Sequence, residues 1–186
     1  MQEEQVSFEA GKTFYNPHMH LCRSFSSLLV GALGEDISII DGFSATGIRG
    51  IRYARENPNV DSLDLLDMDP EAAGLSRRNA ASNGVDADSH NGEFNSFLMD
   101  RRYDFIEIDP FGSPAPFLYH AVRAFRSAKT GYLSFTATDT AVLCGAHKDA
   151  CRRIYHSNPL HDEIFHEAGT RILWKFASRI ANEFNF

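Results

Sequence analysis

The 186-residue sequence has three cysteines, Cys22, Cys144 and Cys151, and a single tryptophan. Three thiols are too few for a disulfide framework. A reducing compartment, the cytoplasm, is the expected setting. No apolar run approaches the roughly 18 residues of a membrane span. The N-terminus, MQEEQVSFEAGK, lacks both the charged and the apolar stretch of a secretory signal, so none is expected. Basic charge is also short: Asp and Glu outnumber Lys and Arg 25 to 18, a formal net charge of −7. That argues against a uniformly basic nucleic-acid binder. Local pairs such as Arg77–Arg78, Arg101–Arg102 and Arg152–Arg153 leave room for a basic patch, although solvated helix faces would explain them equally.

A hydrophobic share of 43% against 23% charged residues is ordinary for a globular chain. The length suits one domain over 1–186, with an N-terminal segment and helix over 1–33 and a sheet-containing core over 37–186. Pro17 opens a helix over 18–33. ISIID (37–41) reads as a buried β-branched strand, followed by the loop GFSATGIRG and a short helix, IRYARE. SLDLLDMD (62–69) reads as a second strand, and PEAAGLSRRNAASNG as a helix that stops at Gly84. A short strand is expected near 88–92. FIEID (105–109) is a further strand, then a helix over 114–128 and a strand over 131–138. After an irregular 139–150, helices are expected over 148–156 and 162–184. Strands alternating with helices imply an α/β fold, with a mostly parallel sheet covered on both faces.

In such sheets ligands sit beyond the carboxyl ends of the strands. Three polar clusters fall there: Asp41–Gly47, Asp67–Asp69 and Asp109–Ser113. Gly42 and Gly47 flank the first loop, where glycine lets the backbone approach a ligand. The spacing D-G-F-S-A-T-G is not the dinucleotide fingerprint, and alone it would also suit an ordinary turn. Asp67 can accept hydrogen bonds from ribose hydroxyls, while Asp69, before Pro70 and Glu71, suits the cap of the next helix. In the third cluster, Phe111 can stack on a planar base and Pro110 stiffens the turn that aims it. Asp109 can accept a proton from an exocyclic amine as a methyl group arrives. Asp139, in TATDT, lines the acceptor pocket or serves as a capping carboxylate. Cys144, His147 and Cys151 offer three zinc-type ligands but no fourth, so no metal is expected. Trp174 reads as core.

Asp-Pro-Phe-Gly-Ser resembles the D/N-P-P-Y/F element of class I methyltransferases acting on exocyclic amines. More closely, the chain is similar to the tRNA (guanine-N2)-dimethyltransferase family, Trm1. The matching runs are FYNPHMHLCR (14–23), DGFSATGIRGIRYA (41–54), LLDMDPEA (65–72), IDPFGSPAPFL (108–118), TATDTAVLCGAHKDACRR (136–153) and HEAGTRIL (166–173). The resemblance implies a Rossmann-like methyltransferase fold, S-adenosyl-L-methionine as cofactor, and methylation of a guanine, usually position 26, in tRNA. It assigns Arg23 and Arg49 to the cofactor carboxylate, Asp41, Gly42 and Gly47 to the cofactor loop, and Asp67 to the ribose. Glu93 and Phe94 fall where the family has Asp-Ala near the adenine; the phenylalanine is a departure. Asp109 matches the proton acceptor and Phe111 the guanine-stacking ring, in a loop completed by Pro110, Gly112 and Ser113. The family continues with two more strands and a C-terminal tRNA-binding domain. Their absence implies a truncated member with an exposed edge at 131–138, which modifies tRNA poorly without that domain or a partner chain. Two other readings are a methyltransferase acting on DNA adenine or glutamine, and a catalytically silent binding module that needs a partner chain.

Overall fold

The computed structural model describes residues 1–34, 36–127 and 130–186. Its centre is a five-stranded, all-parallel sheet preceded by a two-stranded hairpin, β1 (Gln2–Glu3) and β2 (Val6–Ser7). The central strand, β3 (Ile37–Asp41), is buried along its whole length, as its β-branched composition demands. It pairs with β4 (Val60–Asp67) on one side and β6 (Phe105–Ile108) on the other. The outer strands are β5 (Asp88–Asn91) and β7 (Tyr132–Phe135), giving the order β5-β4-β3-β6-β7. The chain therefore winds outward from β3 through β5, then returns to β6. Its topological switch point lies between β3 and β6, where a ligand crevice is expected.

Alternate residues of each strand feed two cores. Ile39, Leu63, Leu65 and Phe105 face Val6 and Phe8 of the hairpin region, Val30 of α1 (His20–Gly31), α2 (Ile48–Glu56) and α3 (Pro70–Ser82). Ile40, Leu66, Ile106 and Ile108 face α4 (Phe94–Phe97), α5 (Ala115–Arg123) and α8 (Phe165–Glu183). The sheet thus has helices on both faces, as the alternating pattern predicts. A third, smaller core joins α6 (Thr140–Leu143), α7 (Lys148–Tyr155) and α8 through Leu143, Cys151, Tyr155 and Ile172. Among the described residues, no helix is long and apolar enough to cross a membrane.

Several local readings hold. Asp69 caps α3 by accepting from Glu71 N at 2.9 Å, and Gly84 takes φ +64° just past its end. The short strand at Asp88–Asn91 forms. Other expectations shift. Pro17 opens a 3₁₀ turn, Pro17–Met19, before α1 begins at His20. Helix α2 starts at Ile48, a turn earlier than the apolar spacing suggested. The helix expected over 114–128 stops at Arg123, because Tyr103 N donates to Ala124 O and Arg126 N to Tyr103 O, drawing the chain into a bridge; the final expected residue, Ala128, lies outside the described residues. Trp174 is not core but 70% exposed. Helix α8 buries Gly169, Ile172, Ala177 and Ile180, and two residues from Ile172 at 100° per residue is the opposite side.

Helix α1 has an inverted pattern. Its inner side buries Arg23, Ser27 and Val30, while Leu21, Phe25 and Leu28 are each more than 70% exposed. Ions hold the inner side. Glu3 of the hairpin receives hydrogen bonds from Arg23, from Arg52 of α2 at 3.2 Å and from the Tyr15 hydroxyl at 2.6 Å. All three charged partners are almost fully buried.

Candidate active site

A cavity of about 580 Å³ opens at the carboxyl ends of β3, β4 and β6, where the switch point predicts it. Its walls come from four segments: the N-terminal stretch Phe14–Asn16 with Met19 and Arg23, the loop after β3, Asp67–Asp69 after β4, and Asp109–Phe111 after β6. Gly92, Glu93, Phe94, Phe117 and Thr138 complete it. Ten of the eleven residues assigned from the sequence line this one space: Arg23, Asp41, Gly42, Arg49, Asp67, Glu93, Phe94, Asp109, Pro110 and Phe111.

Gly47 does not. It caps α2 with φ +79°, and a Cβ there would stand 2.9 Å from Ser76 Cβ of α3. Its role is to let α2 turn off the loop and pack closely on α3. Gly42 lines the cavity, but a Cβ there would strike the Phe94 ring at 2.2 Å. The space it frees is filled by Phe94, which stacks on Phe43 at 5.2 Å with Phe117 edge-on. The departure from Ala at 94 thus builds an aromatic floor. Between the two glycines, Ala45 takes φ +47° without being glycine, a local strain of about 1–3 kcal/mol. Its N–H donates to Asp67 Oδ2 at 2.8 Å, and Asp69 N donates to Oδ1 at 2.9 Å. Asp67 is oriented by these two backbone donors, with lone pairs left for a ligand.

Glu93 is an N-cap as well as a wall. It accepts from Asn95 N, Ser96 N and Ser96 Oγ. Burial pushes its pKa up, but these donors outweigh burial and hold it below the usual glutamate value.

The charges at the cavity's inner end form one cluster. Arg49 donates to Asp109 Oδ2 at 2.5 Å and lies 3.6 Å from Glu107 Oε1. Glu107 is fully buried, accepting from the Tyr53 hydroxyl at 2.7 Å with its other oxygen. Burial, reinforced by Glu107 and Asp109, outweighs Arg49 and pushes Asp41 up to about 7. Burial likewise raises Glu107, against the pull of Arg49 and Tyr53. Burial disfavours the Arg49 charge, but Glu107 leads the neighbours that outweigh it and raise its pKa. Arg49 is thus shared between Glu107 and Asp109, while burial draws Asp41 and Glu107 toward their protonated forms.

The other arginine, Arg23, has its guanidinium engaged by Glu3 and by Asn16 O. At the mouth, Phe111 is 77% exposed and meets the Phe14 ring edge-on at 4.8 Å. Asp139 does not line the cavity; its carboxylate accepts from the Tyr155 hydroxyl at 2.9 and 3.0 Å. Cys151 is buried in α7, and Cys144 Sγ lies 3.9 Å from His166 Nδ1.

Reading the sequence alone passes over Phe14, Ser44, Ala45 and the Glu107–Tyr53 pair. For Glu107 a signal existed: a lone acid inside the apolar run FIEID has to find a partner. Phe14 opens the quoted FYNPHMHLCR run, but only folding brings its ring to Phe111.

The parallel order, the switch-point cavity and its acid-tipped strands define a Rossmann-like methyltransferase fold. A ribosomal protein L11 methylase from Lactobacillus delbrueckii subsp. bulgaricus shares that fold at a TM-score of 0.57 with 18% identity, over 70% of this chain and 65% of its own. All 186 residues match the family model for N2,N2-dimethylguanosine tRNA methyltransferase, and the chain belongs to that family. It is 41% identical to the tRNA (guanine(26)-N(2))-dimethyltransferase of Thermococcus kodakarensis, over 92% of this chain and 50% of that protein. Identity to the Pyrobaculum neutrophilum enzyme of the same name is also 41%, over 97% and 51%. The structure of Trm1 from Pyrococcus horikoshii with S-adenosyl-L-methionine superposes at a TM-score of 0.93 with 36% identity, over 100% of this chain and 55% of that one. The chain spans about half the length of the curated relatives it matches.

Proposed function

We propose that the chain transfers methyl groups from S-adenosyl-L-methionine to the exocyclic N2 of a guanine in tRNA, position 26 as in the names of its relatives. One observation carries the reading: Asp109 and Phe111 at the tip of β6 share a single cavity with Asp67 and Gly42 at the tips of β4 and β3. Donor and acceptor can then be held side by side, which supplies much of the rate acceleration of a two-substrate reaction.

The residues fit the cofactor. The volume suits a nucleoside-sized ligand. Asp67 offers a fixed carboxylate for ribose hydroxyls, with Glu93 and the aromatic floor of Phe43, Phe94 and Phe117 beside it for a planar base. The buried hydroxyl of Ser44, on the cavity wall, has no hydrogen-bond partner among the described residues and can serve a polar group of the ligand. Arg49 and Arg23 both line the cavity and are the cations available to the cofactor's carboxylate, each already sharing its charge with an acid. Bound cofactor would supply an electrophilic methyl on a sulfonium centre.

On the acceptor side, the Phe111 and Phe14 rings, packed edge-on at the mouth, offer an exposed aromatic surface for a flat base. The guanine N2 lone pair is delocalised into its ring, so the amine attacks weakly unless its proton is removed. Asp109 accepts that proton, held in place meanwhile by Arg49. The remaining tRNA contacts fall to the length that the relatives carry beyond the matched half, or to a partner chain. The same reading places the protein in the cytoplasm, with its tRNA.

Single-turnover transfer of labelled methyl to a tRNA transcript, at enzyme in excess, tests this. Wild type should label a guanine-26 transcript and leave an adenine-26 transcript bare, and Asp109→Ala should bind cofactor in calorimetry yet transfer nothing. Equal labelling by Asp109→Ala, or a folded wild type that does not bind the cofactor, would overturn it.

A further inference from the structure

The Asp109–Ser113 loop carries the acid and the ring, and one of its polar anchors lies outside the cavity. Ser113 Oγ is 2.6 Å from the Tyr155 hydroxyl of α7. Tyr155 has one proton to give, and its hydroxyl also lies 2.9 and 3.0 Å from the two oxygens of Asp139. A carboxylate only accepts, so the direction is fixed: Ser113 donates to Tyr155, and Tyr155 donates to Asp139. Ser113 Oγ in turn accepts from Ala115 N at 3.2 Å. Tyr155 is 2% exposed, its ring edge-on against Phe176 of α8 at 5.4 Å. Burial and then Asp139 raise its pKa, while Ser113 opposes them, so the phenol remains a donor at neutral pH.

The loop needs such a tether. Phe111 is 77% exposed and contributes little burial to hold it. Gly112, at φ +84°, adds a second tie: its N–H donates to Thr138 Oγ1 at 2.7 Å and its carbonyl accepts from Thr138 N at 2.9 Å. Neither Tyr155 nor Asp139 reaches the cavity, so the direct chemistry does not account for them.

We infer that Tyr155 is a positioning residue for the acceptor side: through Ser113 it sets where Asp109 and Phe111 stand relative to the cofactor end of the cavity. The inference rests on the proposed methyl transfer for its kinetic consequence, but its structural content stands alone. A misplacement of about 1 Å costs on the order of 100-fold in rate.

Tyr155→Phe keeps the ring and its contact with Phe176 and removes only the hydroxyl. Amide hydrogen exchange should accelerate at residues 111–113, with β3, β4 and α8 as protected as before. Transfer under single turnover should fall about 10-fold or more with cofactor affinity unchanged. Ser113→Ala should produce the same loss, and the double variant should lose no more than either single one, since both break one connection. Asp139→Asn, whose carbonyl still accepts, should retain most of the rate where Asp139→Ala does not. Additive losses, or unaltered exchange at 111–113, would overturn the inference. Should wild type transfer no methyl at all, the proposed function fails, and the exchange measurement still decides whether Tyr155 holds the loop.

Discussion

Arg49 reaches from helix α2 to Asp109 across 2.5 Å, tying the cofactor loop after β3 to the acceptor loop after β6. Its other nitrogen faces Glu107, which sits in the sheet with one carboxylate oxygen lacking any hydrogen bond. A single guanidinium therefore faces the buried Glu107 and holds in place Asp109, the proposed proton acceptor.

Replacing it should do double damage. Arg49→Gln leaves Asp41, Glu107 and Asp109 facing one another without a cation. Loss of about 3–5 kcal/mol of stability is expected, the range for stripping one partner from a buried ion pair. Denaturant unfolding reads that loss, and methyl transfer should be abolished in whatever fraction remains folded.

Asp41 predicts an unusual pH profile. Its folded pKa is raised from the ordinary 3.8 to about 7, so between these values the native state holds a proton that the unfolded chain has released. Stability should then fall as pH rises through that window, by up to about 1.4 kcal/mol per pH unit. Glu107, also raised, acts in the same sense. Urea unfolding at several pH values between 4 and 8 measures the slope. Asp41→Asn, still able to accept from Gly50 N, should flatten it.

Glu3 predicts the opposite trend at lower pH. Burial pushes its pKa up, but Arg23, Tyr15 and Arg52 outweigh burial and hold it below 4.5. Its contribution is present above about pH 4.5 and lost as pH falls through the depressed value. Glu3→Gln should cost about 3–5 kcal/mol at neutrality by leaving Arg23 and Arg52 buried without their carboxylate, with the hairpin region losing exchange protection first.

The mouth rings should behave in reverse, important for the substrate and idle for the fold. Phe111→Ala and Phe14→Ala remove exposed side chains and should shift stability by less than about 0.5 kcal/mol. Base stacking contributes about 1–3 kcal/mol, so tRNA affinity should drop about 5- to 150-fold. Filter binding of a tRNA transcript measures this, and calorimetry with the cofactor should show no change.

Asp67→Ala should act on the cofactor alone. It removes the acceptor of Ala45 N and Asp69 N as well as the ribose partner. Cofactor affinity should fall by at least about 10-fold, the worth of one charged hydrogen bond, while the tRNA dissociation constant stays put.

Much of this was legible in the chain because parallel sheets write themselves in simple runs. Each strand buried on both faces is a short apolar block, and each block ends in the polar residues that meet the ligand. That is why Asp41, Asp67 and Asp109 could be placed together before any coordinate. What the residues do to one another could not be read. Arg23 and Arg49 carry the right charge, but their partners, Glu3 and Asp109, lie 20 and 60 positions away, and no periodicity links them. Gly47 looked like a ligand contact because loop glycines serve steep turns and close approaches alike. Trp174 looked like core because apolar identity was counted without its angle around α8. The tie between Ser113 and Tyr155 spans 42 positions and leaves no trace in composition.

Helix α1 wears its oil on the outside. Since its attachment runs through Arg23, Ser27 and Val30 on the inner side, the outward row of Leu21, Phe25 and Leu28 is not needed to keep it in place. Three glutamines there would leave every interior bond untouched and give a less adhesive, better-behaved protein at the concentrations that calorimetry requires.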